Sequence, residues 1–273
     1  MRRLVNFLFG IFALFFVAFA TYSYITDSLI AEPLTIENVD GRPFLTVTQP
    51  ATDTWVGPLD NSGYDISHPQ CNTPLPTGEV GFVIIGLNKG KPFSENPCFE
   101  KQWNWAKTYP AAAVYINTAD PGDGDPAAYG QRIARDTIDR LAKYGIGTQI
   151  PIWLDVETYN TWTTPSRSVT VLSETMHILT QAGYHVGIYS VSSHWFEITL
   201  NAKIGVPTWV ALGKFPDVPS GVATAKEACN QAGLAGNLPN IVQFVATVDG
   251  VTLDRNIMCT EANGLVGNAN QAQ

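Results

Sequence analysis

Two carboxylates one residue apart, Asp155 and Glu157, close the stretch Ile150-Pro151-Ile152-Trp153-Leu154-Asp155-Val156-Glu157. Alternate residues of an extended chain point to the same side, so the pair shares one face. With a rise of about 3.3 Å per residue, their Cα atoms stand roughly 6.6 Å apart. At that separation one acid can give a proton while the other steadies charge, which is what breaking a glycosidic bond requires. The spacing is compatible with either stereochemical outcome once the side chains lean. The plainer alternative is that Asp155 caps the next segment while Glu157 meets an arginine or solvent.

The residues before the pair are apolar and β-branched, and the run is too short for a helix. A strand buried on both faces, as in a parallel sheet wrapped by helices, is the expectation. From Gly63 onward such strands alternate with helical stretches. Strands are expected at 64–67, 81–86, 112–116, 150–157, 185–190, 208–211, 241–245 and 251–254. Helical spacing relates Phe99, Trp103 and Ala106, then Tyr129, Ile133, Ile138 and Leu141, then Val169, Leu172, Met176 and Leu179. Eight strands in alternation predict an α/β chain with a parallel sheet closed into a TIM-like barrel, distorted, with fewer helices in its C-terminal half. No G-x-G-x-x-G follows a strand, which removes support for a dinucleotide fold. The acid-rich turn from Asp120 to Pro126 lacks the glycine and closing glutamate of a calcium loop and reads as a polar turn.

Residues 1–26 pair a basic start with an almost unbroken apolar run. They read as a signal peptide or an N-terminal membrane anchor, with Ala18-Phe19-Ala20 in the small-x-small form of a cleavage site. Residues 27–62, with Pro33, Pro43, Pro50 and Pro58, read as a spacer or a collar on the barrel, holding one short strand near Phe44–Thr48. The barrel is expected over 63–262 and a tail over 263–273. The expected location is outside the cytoplasm, either secreted or held on the outer side of the membrane by the first segment. Beyond that segment no membrane contact is expected.

A formal net charge of −8 in 273 residues, without basic clusters, argues against a nucleic-acid partner. A neutral glycan fits better, and the tryptophans offer flat apolar faces, although most must serve in packing. Four cysteines in an exported chain read as disulfides, Cys71–Cys98 and Cys229–Cys259, each pair joining the ends of neighbouring elements. No C-x-x-C or H-x-x-x-H occurs, so neither zinc nor any other cofactor is expected. Of the four histidines, His68 alone falls near the expected site, and a surface role suits it. No G-x-S-x-G and no Cys–His pair supports a peptidase.

Taken together, the motifs resemble family 25 of the glycoside hydrolases, the secreted lysozymes that cut peptidoglycan. Gly63-Tyr64-Asp65-Ile66-Ser67-His68-Pro69-Gln70 is similar to the family's opening Asp-x-Ser-x-x-Gln strand, and Leu154-Asp155-Val156-Glu157 to its paired-acid strand. Gly187-Ile188-Tyr189-Ser190 with Trp195 resembles its Gly-x-Tyr-Ser strand. Val242-Gln243-Phe244 and Asp254-Arg255-Asn256 resemble its last two motifs. The resemblance spans about Gly63 to Met258. It implies a pocket at the strand C-termini, with Glu157 as proton donor, Asp155 as its partner, and Asp65 and Asp254 completing a floor of acids. Tyr189, Gln243, Trp153 and Asn117 are the expected substrate-binding residues.

Two stretches depart from the family pattern. Tyr115-Ile116-Asn117-Thr118 stands where members carry an aromatic–His pair, and Gly86-Leu87-Asn88-Lys89-Gly90 where they commonly have Lys-Ala-Thr-Glu-Gly. The chemistry implied is general acid catalysis on an N-acetylated wall glycan by a monomer. Asp155 would orient the sugar's own acetamido group. The alternative is a wall-binding barrel whose acids form a hydrogen-bonding floor without turnover.

Overall fold

The structure is a computed structural model that describes residues 37–39, 41–50, 61–248, 250–260 and 264–268. The apolar leader lies outside them, and no helix among the described residues is long and apolar enough to cross a membrane.

Eight strands close into a barrel, and all eight lie where the sequence pattern places them. They are β3 (Ser62–Ile66), β4 (Phe82–Gly86), β5 (Ala111–Asn117), β6 (Ile152–Asp155), β7 (Val186–Ser190), β9 (Thr208–Phe215), β10 (Ile241–Val248) and β11 (Val251–Met258). From β3 to β7, and on through β9 to β10, neighbours are parallel. The expected distorted barrel forms, and the departure from parallel pairing lies at one place. β10 turns back through a hairpin, so β11 runs antiparallel to both β10 and β3. The chain has no residues for a helical crossover between Val248 and Val251, and a two-residue connection permits only an antiparallel return.

Helices α1 (Phe99–Ala106), α2 (Pro126–Lys143), α3 (Pro165–Gln181), α4 (Ser192–Thr199) and α5 (Val218–Ala228) cover the outside. The stripes on α1 and α3 are buried as the spacing implies. On α2 the buried face is rotated slightly, to Gly130, Ile133, Ala134, Thr137 and Leu141, leaving Tyr129 and Ile138 half-buried. Gly130 explains the rotation. A Cβ there would stand 2.4 Å from the Val171 carbonyl oxygen, so the bare backbone lets α2 lie directly on α3.

Short strands β1 (Glu37–Val39), β2 (Arg42–Leu45) and β8 (Lys203–Ile204) form a separate three-stranded sheet. Its β2 starts earlier than the expected 44–48 strand. The side chain of Gln49 then ties the segment to β7, donating to the Val186 carbonyl at 2.8 Å and accepting from the Val186 N–H at 3.1 Å. Residues 264–268 do not behave as a tail. Leu265 and Val266 are buried in the barrel's interior cluster, and Gly267 bridges Ala112 on β5.

Both expected disulfides form, with Cα–Cα distances of 5.5 Å for Cys71–Cys98 and 5.3 Å for Cys229–Cys259.

Candidate active site

The strand register sets the site before any side chain is considered. Asp65 is paired with Asp254, Asn117 with Asp155, Asp155 with Tyr189, and Gln243 with Asn256. The acids from both ends of the sequence therefore meet at one end of the barrel. They line an open cavity of about 490 Å³ with Tyr115, Tyr159, Tyr189, His194, Trp209 and Gln243.

The segment carrying the central pair is held by its backbone. The Asp155 carbonyl accepts from the Thr118 N–H at 3.0 Å and the Thr118 hydroxyl at 2.7 Å. The Val156 N–H donates to the Tyr189 carbonyl at 2.9 Å, and the Val156 carbonyl accepts from the Ser190 hydroxyl at 2.6 Å. One residue on, the Trp162 indole N–H donates to the Glu157 carbonyl at 2.9 Å. These bonds continue the pleat past the last residue of β6, so Glu157 enters the same cavity as Asp155.

Each acid has different company. Asp65 is buried and accepts from the Gln243 amide at 3.0 Å and the Asn256 amide at 2.8 Å. Tyr189 donates to the Gln243 oxygen at 2.8 Å, and the Trp209 indole donates to the Asn256 oxygen at 2.9 Å. Each amide thus turns its N–H₂ toward Asp65. Asp155 is buried as well. The Asn117 amide donates to its Oδ2, while its Oδ1 has no hydrogen-bond partner.

Burial is the first cause of the titration behaviour and mutual repulsion the second. Burial, then Asp254, hold the Asp65 carboxyl well above the usual range, against the pull of its amide partners. Burial, then Glu157 and Asp65, do the same for Asp155. Glu157 rises to about 7 through burial and Asp254, and Asp254 to about 6 through burial. Among the described residues no cluster of His, Cys, Asp and Glu is arranged to hold a metal ion.

The lysozyme-like protein 1 family model matches residues 97–212, which carry both Asp155 and Glu157. Three solved structures share the architecture at low identity. The spore cortex lytic enzyme SleM of Clostridium perfringens is 15% identical with a TM-score of 0.54, over 75% of this chain and 69% of its own. A family 25 glycosyl hydrolase from Bacillus anthracis is 15% identical at 0.53, over 79% and 96%. A family GH25 lysozyme from Aspergillus fumigatus is 16% identical at 0.52, over 72% and 92%. No curated protein matches the chain. The fold is that of the family 25 lysozymes.

Within this family 25 fold, Asp65, Asp155, Glu157, Asp254, Tyr189 and Gln243 come together at the cavity. Trp153 does not reach it. Two residues before Asp155 it points inward one layer deeper, with its ring against Gly187 and its indole N–H 3.2 Å from the Leu265 carbonyl. A Cβ on Gly187 would lie 2.4 Å from that ring, which is the physical reason for the glycine in Gly-x-Tyr-Ser. Asn117 also misses the cavity wall and acts behind it, on Asp155.

Sequence reasoning placed His68 nearest the site, yet the histidine in the cavity is His194 on α4. Its signal was its place just after the Gly-x-Tyr-Ser strand, directly before Trp195. Tyr115, Tyr159 and Trp209 were missed as cavity residues, and Asn256 as an anchor of Asp65. The two departures from the family pattern turn out to touch. Asn88 donates to the Asn117 carbonyl at 3.0 Å and accepts from the Asn117 N–H at 3.0 Å.

Proposed function

We propose that the chain is a glycoside hydrolase that cleaves peptidoglycan or a related N-acetylated wall glycan, with Glu157 as its general acid. One observation carries the reading: a carboxyl raised to about 7 lines an open cavity beside three further acids. An acid of that strength holds its proton at mildly acidic to neutral pH and still yields it to a leaving oxygen in the transition state.

The other residues divide the remaining work. Asp155 has one oxygen engaged by Asn117 and the other, Oδ1, buried without a partner, so a turn of the carboxyl toward the cavity it lines would let it receive the N–H of an acetamido group. Fixing that group would bring its own oxygen to the anomeric carbon as the charge there develops. Asp65 and Asp254 supply negative potential where an oxocarbenium-like centre forms. Tyr115, Tyr189 and Trp209 line the cavity with aromatic faces for pyranose rings, and Tyr159 stands at its mouth, 88% exposed. Action outside the cytoplasm agrees with two disulfides and no free cysteine.

The deciding experiment incubates the protein with purified peptidoglycan between about pH 4 and 8 and follows new reducing ends. Release that peaks below about pH 7 is expected, since Glu157 loses its proton above that point. Binding without any release would decide for a non-catalytic wall-binding barrel.

A further inference from the structure

The cavity holds four carboxylates and, among the described residues, a single base. That base is His194, on the first turn of α4. Its Nδ1 lies 3.7 Å from Glu157 Oε1 and is buried without a hydrogen-bond partner. The Tyr159 ring meets the imidazole edge-on, with centroids 5.9 Å apart.

We propose that His194 is the charge partner of Glu157, a positioning residue whose protonated imidazole donates from Nδ1 to Oε1 once Glu157 has become a carboxylate. The inference rests on the general-acid reading of Glu157. When that acid protonates the glycosidic oxygen, its O–H bond breaks and a negative charge remains on the carboxyl. The other ionisable groups lining the cavity carry no positive charge: Asp155 from β6, Asp65 from β3, Asp254 from β11, and the phenols of Tyr115 from β5, Tyr189 from β7 and Tyr159. An anion created there finds no countercharge in the cavity other than His194. A gap of 3.7 Å is too long for a hydrogen bond to the neutral pair. It is about 1 Å from the N⁺–H···O⁻ length that a charged pair adopts.

The pairing has a definite pH signature. Attraction in the ion pair draws the proton off Glu157 earlier than Glu157 alone would release it. Removing the imidazole should therefore keep Glu157 protonated to higher pH, while the anion left after proton donation loses its stabilisation.

The test compares the full-length wild type with His194→Gln and His194→Leu in two measurements. Titration of the Glu157 carboxyl by ¹³C NMR should move up by about half a pH unit or more in both variants. The alkaline limb of kcat/KM on peptidoglycan should move up with it, while maximal kcat falls about 3- to 10-fold. A Glu157 midpoint that stays in place in folded variants overturns the pairing, and so does a uniform loss of activity with no shift of the limb. If the midpoint moves but even the wild type releases no reducing ends, the pair stands and only the glycosidase reading falls.

Discussion

Two buried aspartates at neighbouring strand ends meet opposite fates. Asp120 follows β5 and is fully buried, yet its carboxyl lies below the usual range. Burial opposes its ionisation. The Arg167 guanidinium with both oxygens at 3.0 Å, the Thr163 hydroxyl at 2.6 Å and the Gly122 N–H at 3.0 Å outweigh that cost. Asp155 ends β6 and is nearly as buried, but it has one amide donor, no cation, and two more acids close by. The first site is satisfied and holds the loop before α2 to the start of α3. The second is left short of donors and open to a cavity. An acid fully paired with its own chain cannot serve a substrate, whereas an underpaired one stores free energy that a ligand can release.

Glu157→Gln should produce the largest effect, since the amide keeps the shape and loses the proton. Turnover on peptidoglycan should fall about 10²- to 10⁴-fold with folding intact. Retention of near wild-type turnover would move the acid role to another member of the cluster.

Next comes the opposite site. Arg167→Met keeps much of the side-chain stem but strands the Asp120 carboxylate. Denaturant unfolding should show a lower midpoint at neutral pH. The loss should shrink as pH falls below about 4, where the carboxyl can protonate. A variant as stable as the wild type would mean that the two aspartates differ less than their surroundings indicate.

The third effect has the reverse sign. Glu157 rises from 4.5 to about 7 and Asp254 from 3.8 to about 6, so between about pH 4 and 7 the folded protein binds more protons than the unfolded chain. The stability these acids permit is fully present below their unfolded values and is lost as pH rises through the folded ones. Glu157→Gln should therefore gain on the order of 1–3 kcal/mol at pH 8 and close to nothing at pH 4. The same substitution that abolishes turnover should stabilise the fold, the trade expected where function keeps acids crowded. Equal stability of the two proteins across that range would remove the evidence for a strained cluster.

The legibility of these two regions in the sequence differs for a physical reason. Strands were readable because each is a short apolar run between turns, and the period of two put Asp155 and Glu157 on one face. The motif Asp65-x-Ser67-x-x-Gln70 was readable because it is local: the Gln70 side chain accepts from the Ser67 N–H at 2.9 Å, ending β3 in a fixed turn. What stayed hidden depends on barrel closure. The hairpin that makes β11 antiparallel brings Asp254 beside Asp65, and only that register lets Asn256 and Gln243 donate to one carboxylate. Trp153 was misplaced because period two gives the face of a residue but not its depth along the barrel axis. His194 was overlooked because no spacing rule relates the first turn of α4 to the residue that follows β6.

The smallest expected effect is the most specific to this chain. Asn117 stands where the resemblance led to expect an aromatic–His pair, and its amide engages Asp155 Oδ2 while Asn88 grips its backbone on both sides. That leaves Oδ1 as the one oxygen of Asp155 without a partner. If Asn117 serves to fix that carboxyl beside the cavity, Asn117→Ala frees it to rotate and raises it further above the usual range. Turnover of N-acetylated glycan should then fall about 10-fold, mainly in kcat, because the acetamido group is no longer held for attack. De-N-acetylated chains, which lack that group, should lose no more than about 2-fold. Asn88→Ala, one step further from Asp155, should give the same pattern at roughly a third of the size. A loss shared equally by both substrates would reduce Asn117 to a packing residue. It would also leave Asp155 like Asp120, an acid whose partners matter for the fold alone.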